Sequence, residues 1–273
     1  MNAKHAECPG RTAVVSTMLA VLALAGTAGT ALAEEGRTTL TVGAEYTTGD
    51  YGGGSDIDDI YVPITLSWTG EQFSLRATVP YAYVSAPEGS IIGRRGDVIV
   101  GSGDDVSDSG IGDVLLSGTW LGLAESDNAV LDVTAKVKLG TADEDKGLGT
   151  GETDYSLQLD GYVFQRDLMW MGTVGYKWRG DPAGLDLDDT WFVAGGVALW
   201  AGRDNRVGTL VSYRPELIDG GDAATEVSVF FDTEVSPRLG AQVYALAGLS
   251  DGSPDWGVGG SVSWSFRQTP MGM

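Results

Sequence analysis

The sequence is poor in the side chains that most often carry enzymatic chemistry. Its 273 residues include one cysteine and one histidine, Cys8 and His5, and both lie near the beginning of the chain. A single cysteine excludes a disulfide bond within the chain. Without further histidine, neither a histidine general base nor a zinc site built on histidine and cysteine is expected. The sequence therefore predicts a protein that is not an enzyme and that uses no cofactor.

Positive charge and long apolar runs are also scarce. Lysine and arginine number 17 against 38 aspartates and glutamates, and the net charge of −21 argues against a nucleic-acid partner. The one long apolar run, residues 13–24, follows the cations Lys4 and Arg11 and precedes the tripeptide Ala31-Leu32-Ala33. This order predicts a cleaved signal peptide over residues 1–33, with an uncleaved membrane anchor as the alternative. No later run is long enough for a membrane-spanning helix.

The remainder of the chain alternates between apolar and small or polar residues. In residues 256–266 (WGVGGSVSWSF), one parity holds tryptophan, valine, phenylalanine and one glycine, whereas the other holds only glycine and serine. A strand on a soluble core usually carries large charged residues on its polar face, but a strand with lipid outside and a crowded lumen inside gives this pattern. The pattern predicts twelve strands: 39–47, 59–69, 73–84, 112–121, 129–139, 153–164, 168–179, 190–200, 206–217, 225–235, 239–249 and 256–266.

The connections between these segments alternate in length. Short turns are predicted at 70–72, 124–128, 165–167, 201–205 and 236–238, and mostly longer loops at 48–58, 85–111, 140–152, 180–189, 218–224 and 250–255. Outer-membrane barrels have an even number of strands, short periplasmic turns and longer outer loops. The sequence thus predicts an all-β fold, a transmembrane antiparallel up-and-down β-barrel of about 12 strands in the cell outer membrane. Residues 34–273 form this one domain, with a short tail at 267–273.

Aromatic residues gather at both ends of the predicted strands. One group near the short turns comprises Trp68, Phe73, Trp120, Trp170, Trp200, Trp264 and Phe266. A second group near the longer loops comprises Tyr46, Tyr81, Tyr83, Tyr155, Trp178, Trp191, Tyr213 and Trp256. Two belts of aromatic side chains fit the two interfaces of a membrane. A soluble secreted β-protein with ordinary core aromatics is the alternative.

Two stretches resemble a known family. Residues 109–120 (SGIGDVLLSGTW) and 137–159 (VKLGTADEDKGLGTGETDYSLQL) are similar to a strand and a strand–loop–strand of Gram-negative outer-membrane transporter-like proteins, which are labelled meta-pathway phenol-degradation proteins. Gly140 stands where that family commonly has proline. The resemblance implies a barrel channel for small molecules, with hydrophobic or aromatic compounds as candidates. Trp264 and Phe266 also resemble the terminal signal that the barrel-assembly machinery reads, although seven residues, RQTPMGM, follow them.

The predicted inward parity carries charge of both signs. The candidate pore-lining residues are Arg76, Asp113, Asp132, Lys136, Lys138, Asp160, Lys177, Arg179, Arg214, Glu226 and Asp232. They form either a constriction that sorts solutes by charge or a salt-bridge network that fills a narrow barrel. With Glu216 and Glu234 counted as inward, the lumen has a slight acidic surplus. Inward glycines such as Gly175, Gly208 and Gly259 permit strand bending or leave a clear bore.

The loops are strongly acidic, with clusters such as Asp143, Glu144 and Asp145. Such clusters either remain solvated or hold divalent ions, which would also bridge the protein to lipopolysaccharide. Loop 85–111 contains apolar residues at 91–92 and 98–100, so we expect it to fold inward as a constriction or to cap the barrel. The sequence predicts passive diffusion of small solutes, or else a non-conducting structural or adhesive barrel. Outer-membrane lipid, lipopolysaccharide, the barrel-assembly machinery and a small-molecule solute are the expected partners.

Overall fold

The computed structural model describes residues 36–51, 56–86, 91–94, 97–100 and 106–267. The predicted signal peptide and the end of the predicted tail lie outside these residues. No helix in the described ranges is long and apolar enough to cross a membrane. The strands are β1 (Arg37–Gly49), β2 (Ile57–Thr69), β3 (Phe73–Ala86), β4 (Ile91–Arg94), β5 (Asp97–Val100), β6 (Val106–Ile111), β7 (Val114–Glu125), β8 (Ala129–Leu139), β9 (Asp154–Gln165), β10 (Leu168–Trp178), β11 (Thr190–Trp200), β12 (Asn205–Arg214), β13 (Ala224–Ser236), β14 (Leu239–Gly248) and β15 (Trp256–Arg267).

The main sheet closes on itself. Neighbouring strands pair antiparallel, β1 pairs with both β2 and β15, and β2 pairs with β3, so the strands form a closed ring. β6 and β7 both pair with β3 and act as one interrupted strand. The ring therefore contains twelve strand positions, and the predicted all-β antiparallel up-and-down barrel is confirmed.

The outward face of the barrel is apolar and uncovered. Leu66, Val229 and Val243 are each more than half exposed, at 53%, 55% and 58%. Aromatic rings pair at the ends of this face, with Phe73 and Trp120 at 5.3 Å near the short turns and Trp191 and Tyr213 at 5.2 Å near the longer loops. An exposed apolar surface between two aromatic girdles fits the hydrocarbon layer of an outer membrane.

The structure corrects the fourth strand and the loop that precedes it. Residues Val106–Ile111 are a strand, not part of a loop, because β3 runs on to Ala86 and its residues from Tyr81 onward pair with them. β4 and β5 pair with each other as a separate hairpin. The connection is thus shorter than predicted, and its predicted inward fold stays a prediction.

Two further strand ends differ from the prediction. The strand predicted over 206–217 ends at Arg214, because Pro215 has no N–H to donate to the ladder. Glu216, predicted to face the lumen, is consequently exposed on a loop. At the other end of the barrel, β7 runs on to Glu125 through a bulge around Gly122, which has a φ of 65°. The Gly122 N–H donates to Asp132 Oδ1 at 2.7 Å, so the bulge fixes that carboxylate.

Candidate functional site

The lumen contains a cavity of about 470 Å³ that is lined by side chains from many strands. Seven basic residues lie on its wall: Arg76, Lys136, Lys138, Lys177, Arg179, Arg206 and Arg214. Five acidic residues lie there too: Glu45, Asp154, Asp160, Glu226 and Asp232. The predicted acidic surplus is therefore wrong for this cavity, because Asp113, Asp132, Glu216 and Glu234 do not line it.

A buried chain of ion pairs lies at the loop end of the lumen. Lys138 Nζ is 2.9 Å from an Asp113 carboxylate oxygen and 3.5 Å from Asp154 Oδ2. Lys177 Nζ contacts the same Asp154 oxygen at 2.6 Å. Asp113 is completely buried, and the other three side chains are nearly so. These contacts link the residue before β7 with β8, β9 and β10, and they give each of the buried charges an oppositely charged partner.

Asp113 also fixes the loop that follows β8, residues 140–153. Its Oδ1 accepts hydrogen bonds from the N–H groups of Thr141 at 2.9 Å and Ala142 at 2.8 Å. Lys138 donates to Thr150 Oγ1 at 3.0 Å near the end of the same loop. Between these two anchors, Leu148 is buried in a cluster with Ile57, Ala82, Val84 and Ala86. We call the contacts of Asp113, Lys138, Thr150 and Leu148 that fix this loop the mouth lock. Asp113, predicted to line the pore, does not line the cavity and instead anchors this loop.

A basic row crosses one wall of the lumen. Strand register places Arg76 opposite Ser117, Ser117 opposite Lys136, Lys136 opposite Ser156, and Ser156 opposite Lys177. Every second strand in this row thus presents a cation. Lys136 lies over the ring of Phe192, with its ammonium 5.7 Å from the ring centre.

Below the basic row, Asp160 is held by neutral donors. Gln158 donates to both of its carboxylate oxygens, at 2.9 and 2.7 Å, and Thr173 Oγ1 donates at 2.7 Å. Asp132 lies directly across the strand pair from Asp160 and is itself 1% exposed. Both carboxylates are therefore part of the wall's hydrogen-bond network, and Asp160 alone of the two reaches the cavity.

The opposite wall has its own polar contacts. Arg206 donates from Nε to Asp232 Oδ2 at 2.8 Å, and Gln242 donates to Asp232 Oδ1 at 2.6 Å. Tyr244 donates its hydroxyl hydrogen to Glu45. These contacts link β12, β13 and β14, and they connect β14 to β1 across β15.

Two arginines connect the lumen wall to the longer loops. Arg179 Nη1 donates to the backbone oxygen of Asp188 at 2.5 Å and to Thr190 Oγ1 at 2.8 Å. Arg214 Nη2 donates to the backbone oxygen of Gly252 at 3.1 Å, and Glu226 lines the cavity on the neighbouring strand. Both guanidinium groups are therefore engaged in holding loops at the mouth.

Apolar side chains narrow the lumen towards the short turns. Met169, Ala198 and Phe230 are buried there, and the partly buried residues packed against them are Tyr162, Phe164, Met171, Trp200 and Tyr244. Trp200 was predicted to join the aromatic belt near the short turns, but it faces the lumen. It has the same parity as Ala198, and its ring lies 6.4 Å from that of Phe164. We call this group the apolar floor.

Inward glycines provide the space in which aromatic rings lie against the wall. A Cβ atom at Gly175 would come within 2.3 Å of the Phe192 ring, one at Gly208 within 2.4 Å of Phe230, and one at Gly259 within 2.3 Å of Tyr244. Each glycine lies directly across a strand pair from its ring. At these positions the glycines accommodate rings and do not leave a clear bore, which corrects one of the two interpretations drawn from sequence.

Replacement of one such glycine tests this packing. Gly259→Val should lower the free energy of unfolding by about 1–3 kcal/mol, because the new side chain overlaps the Tyr244 ring and displaces its hydroxyl from Glu45. Urea unfolding of the detergent-solubilised barrel measures the loss. Gly195→Val is the matched control, since a Cβ at Gly195 meets nothing within 4 Å. Equal stability of the two variants would contradict the packing role.

Comparisons with known proteins support the fold. No family model matches the sequence, and no curated protein does either. Among solved structures, a KdgM porin is similar over 84% of this chain and 99% of its own, with 10% identity and a TM-score of 0.52. The translocator domain of the autotransporter NalP from Neisseria meningitidis is similar over 86% and 88%, with 13% identity and a TM-score of 0.51.

At such low identity the likeness is one of fold. Combined with the closed ring of strands and the uncovered apolar face, it defines the chain as an outer-membrane β-barrel protein. The predicted assembly residues Trp264 and Phe266 lie at the end of β15, with exposed rings stacked 6.2 Å apart. Their recognition by the assembly machinery stays a prediction.

Proposed function

We propose that this barrel lets small solutes diffuse across the outer membrane through its lumen. The observation that carries the proposal is the cavity of about 470 Å³, whose wall presents charged side chains from both halves of the barrel. Oppositely charged groups along a lumen are typical of pores that sort hydrated solutes. A porin is among the similar structures, and a second structure of that porin contains oligogalacturonate. The resemblance to the transporter-like family adds hydrophobic or aromatic compounds as candidate solutes.

A non-conducting structural barrel is the second candidate. The apolar floor buries Met169, Ala198 and Phe230 within the lumen, and the mouth lock occupies part of the opposite end. If the apolar floor and the mouth lock together close the lumen to solutes, the charged side chains of the lumen wall serve only to join the strands. The two candidates differ in one measurable property, the passage of ions.

Ionic conductance of the purified protein in a planar bilayer tests the proposal. In a potassium chloride gradient we expect discrete current steps with a measurable reversal potential. Lys136→Glu should shift that potential towards potassium selectivity, because it reverses a charge on the cavity wall. Lys146→Glu makes the same change on an exposed loop and should shift it much less.

Two outcomes would count against the proposal. Electrical silence from a protein that still shows heat-modifiable migration on a gel would favour the structural barrel. Equal reversal potentials for the Lys136 and Lys146 variants would mean that Lys136 does not line the conducting path.

A further inference from the structure

Lys136 differs from the other cations of the lumen in its contacts. Lys138, Lys177 and Arg206 form ion pairs with aspartates. Lys136 instead contacts the Phe192 ring, and no described residue forms an ion pair with its ammonium. A cation on the wall of a cavity that is enclosed by protein attracts an anion more strongly than a cation in water does.

A second cation lies beside Lys136 in the same row. Arg76 and Lys136 are separated by one strand, which places their α-carbons about 10 Å apart. The residue between them, Ser117, has a side chain too short to keep two long cationic side chains apart. Arg76 and Lys136 both line the cavity, so one anionic group between them would contact both.

The cavity surface is mainly apolar, and Asp160, which also lies below these cations, has its carboxylate oxygens engaged by Gln158 and Thr173. Phe192 lies under the Lys136 ammonium, and the cavity wall continues towards the floor with Tyr162, Met171 and Phe230. The volume of about 470 Å³ is in the range of pockets that hold small organic molecules. A charged end and an apolar end within one cavity suit a molecule that has both.

We propose that Arg76 and Lys136, together with the apolar wall below them, form a binding site for small carboxylates that carry an apolar body. The carboxylate accepts hydrogen bonds from the two cations, and the apolar body lies against Phe192 and Met171. This inference rests on the proposed function, since a solute reaches the site through the lumen. The site would then be a selective binding site on the diffusion path of the solute.

Titration calorimetry on the full-length protein in detergent tests the site independently of conduction. Benzoate should bind, and both benzamide, which has the same shape without charge, and acetate, which lacks the apolar body, should bind about tenfold more weakly or not at all. Lys136→Gln should weaken benzoate binding about tenfold because a charge-assisted contact is lost. Lys146→Gln, the matched change on an exposed loop, should leave it unaltered.

The controls separate this site from the channel itself. Lys136→Arg should bind benzoate about as tightly as the wild type. This result would exclude a general effect of substitution at position 136 on folding. Benzamide binding as tight as that of benzoate, acetate binding as tight as that of benzoate, equal affinities of the Gln variants, or no benzoate binding by the folded protein would each overturn the site. A barrel that conducts chloride without binding benzoate disproves the site alone, whereas one that binds benzoate without conducting disproves the proposed function alone.

Discussion

Asp113→Ala should lower the free energy of unfolding of the barrel by about 3–5 kcal/mol. The Asp113 side chain is fully buried, it accepts hydrogen bonds from Thr141 and Ala142, and it is paired with Lys138 at 2.9 Å. Its removal takes away an acceptor of the Thr141 and Ala142 N–H groups, and it leaves the nearly buried Lys138 ammonium without its nearer carboxylate, so that Asp154 at 3.5 Å remains. Urea unfolding followed by tryptophan fluorescence measures the change.

Two other variants separate the causes of this loss. Asp113→Asn retains an oxygen for the two N–H groups but removes the charge, so it should lie between the wild type and Asp113→Ala. Asp143→Ala removes a carboxylate from the exposed part of the same loop and should change stability by no more than about 0.5 kcal/mol. If Asp113→Ala proves as mild as Asp143→Ala, the mouth lock does not stabilise the barrel.

The alternation of apolar and small residues was sufficient to predict the barrel, because lipid imposes an apolar residue at every second position of a spanning strand. Outside the membrane, a strand has no lipid-facing side, so this requirement for apolar residues does not apply. Residues 106–111, VSDSGI, form β6 with little apolar alternation, because they pair with the part of β3 that has passed the apolar belt. The apolar alternation therefore carried no signal for this strand.

Parity also predicts which side chains face the lumen, but it does not predict their neighbours. Lys136 and Lys138 share one strand and one parity, and the sequence treats them alike. Strand register places Lys138 opposite Asp154 and Lys136 opposite Ser156. Lys138 is consequently buried in ion pairs, whereas the Lys136 ammonium lies at the cavity wall. This difference depends on the strand register, which the structure shows and the sequence does not.

The second large effect is expected on the outer face. Val229→Arg should lower the free energy of unfolding in vesicles by about 2–4 kcal/mol, or block assembly, because it places a cation in the middle of the hydrocarbon layer. Val229 lies near the middle of β13 and is 55% exposed on the outward face of the barrel. Heat-modifiable migration reports the folded fraction, and urea unfolding reports the stability.

Val235→Arg is the matched control on the same strand and face. Val235 is 59% exposed but lies at the short-turn end of β13, where an arginine reaches the lipid headgroups and costs about 0–1 kcal/mol. In water both substitutions would be surface changes of within about 0.5 kcal/mol. A difference between the two variants is therefore a property of lipid depth, whereas equal and mild effects would show that this face does not contact a membrane.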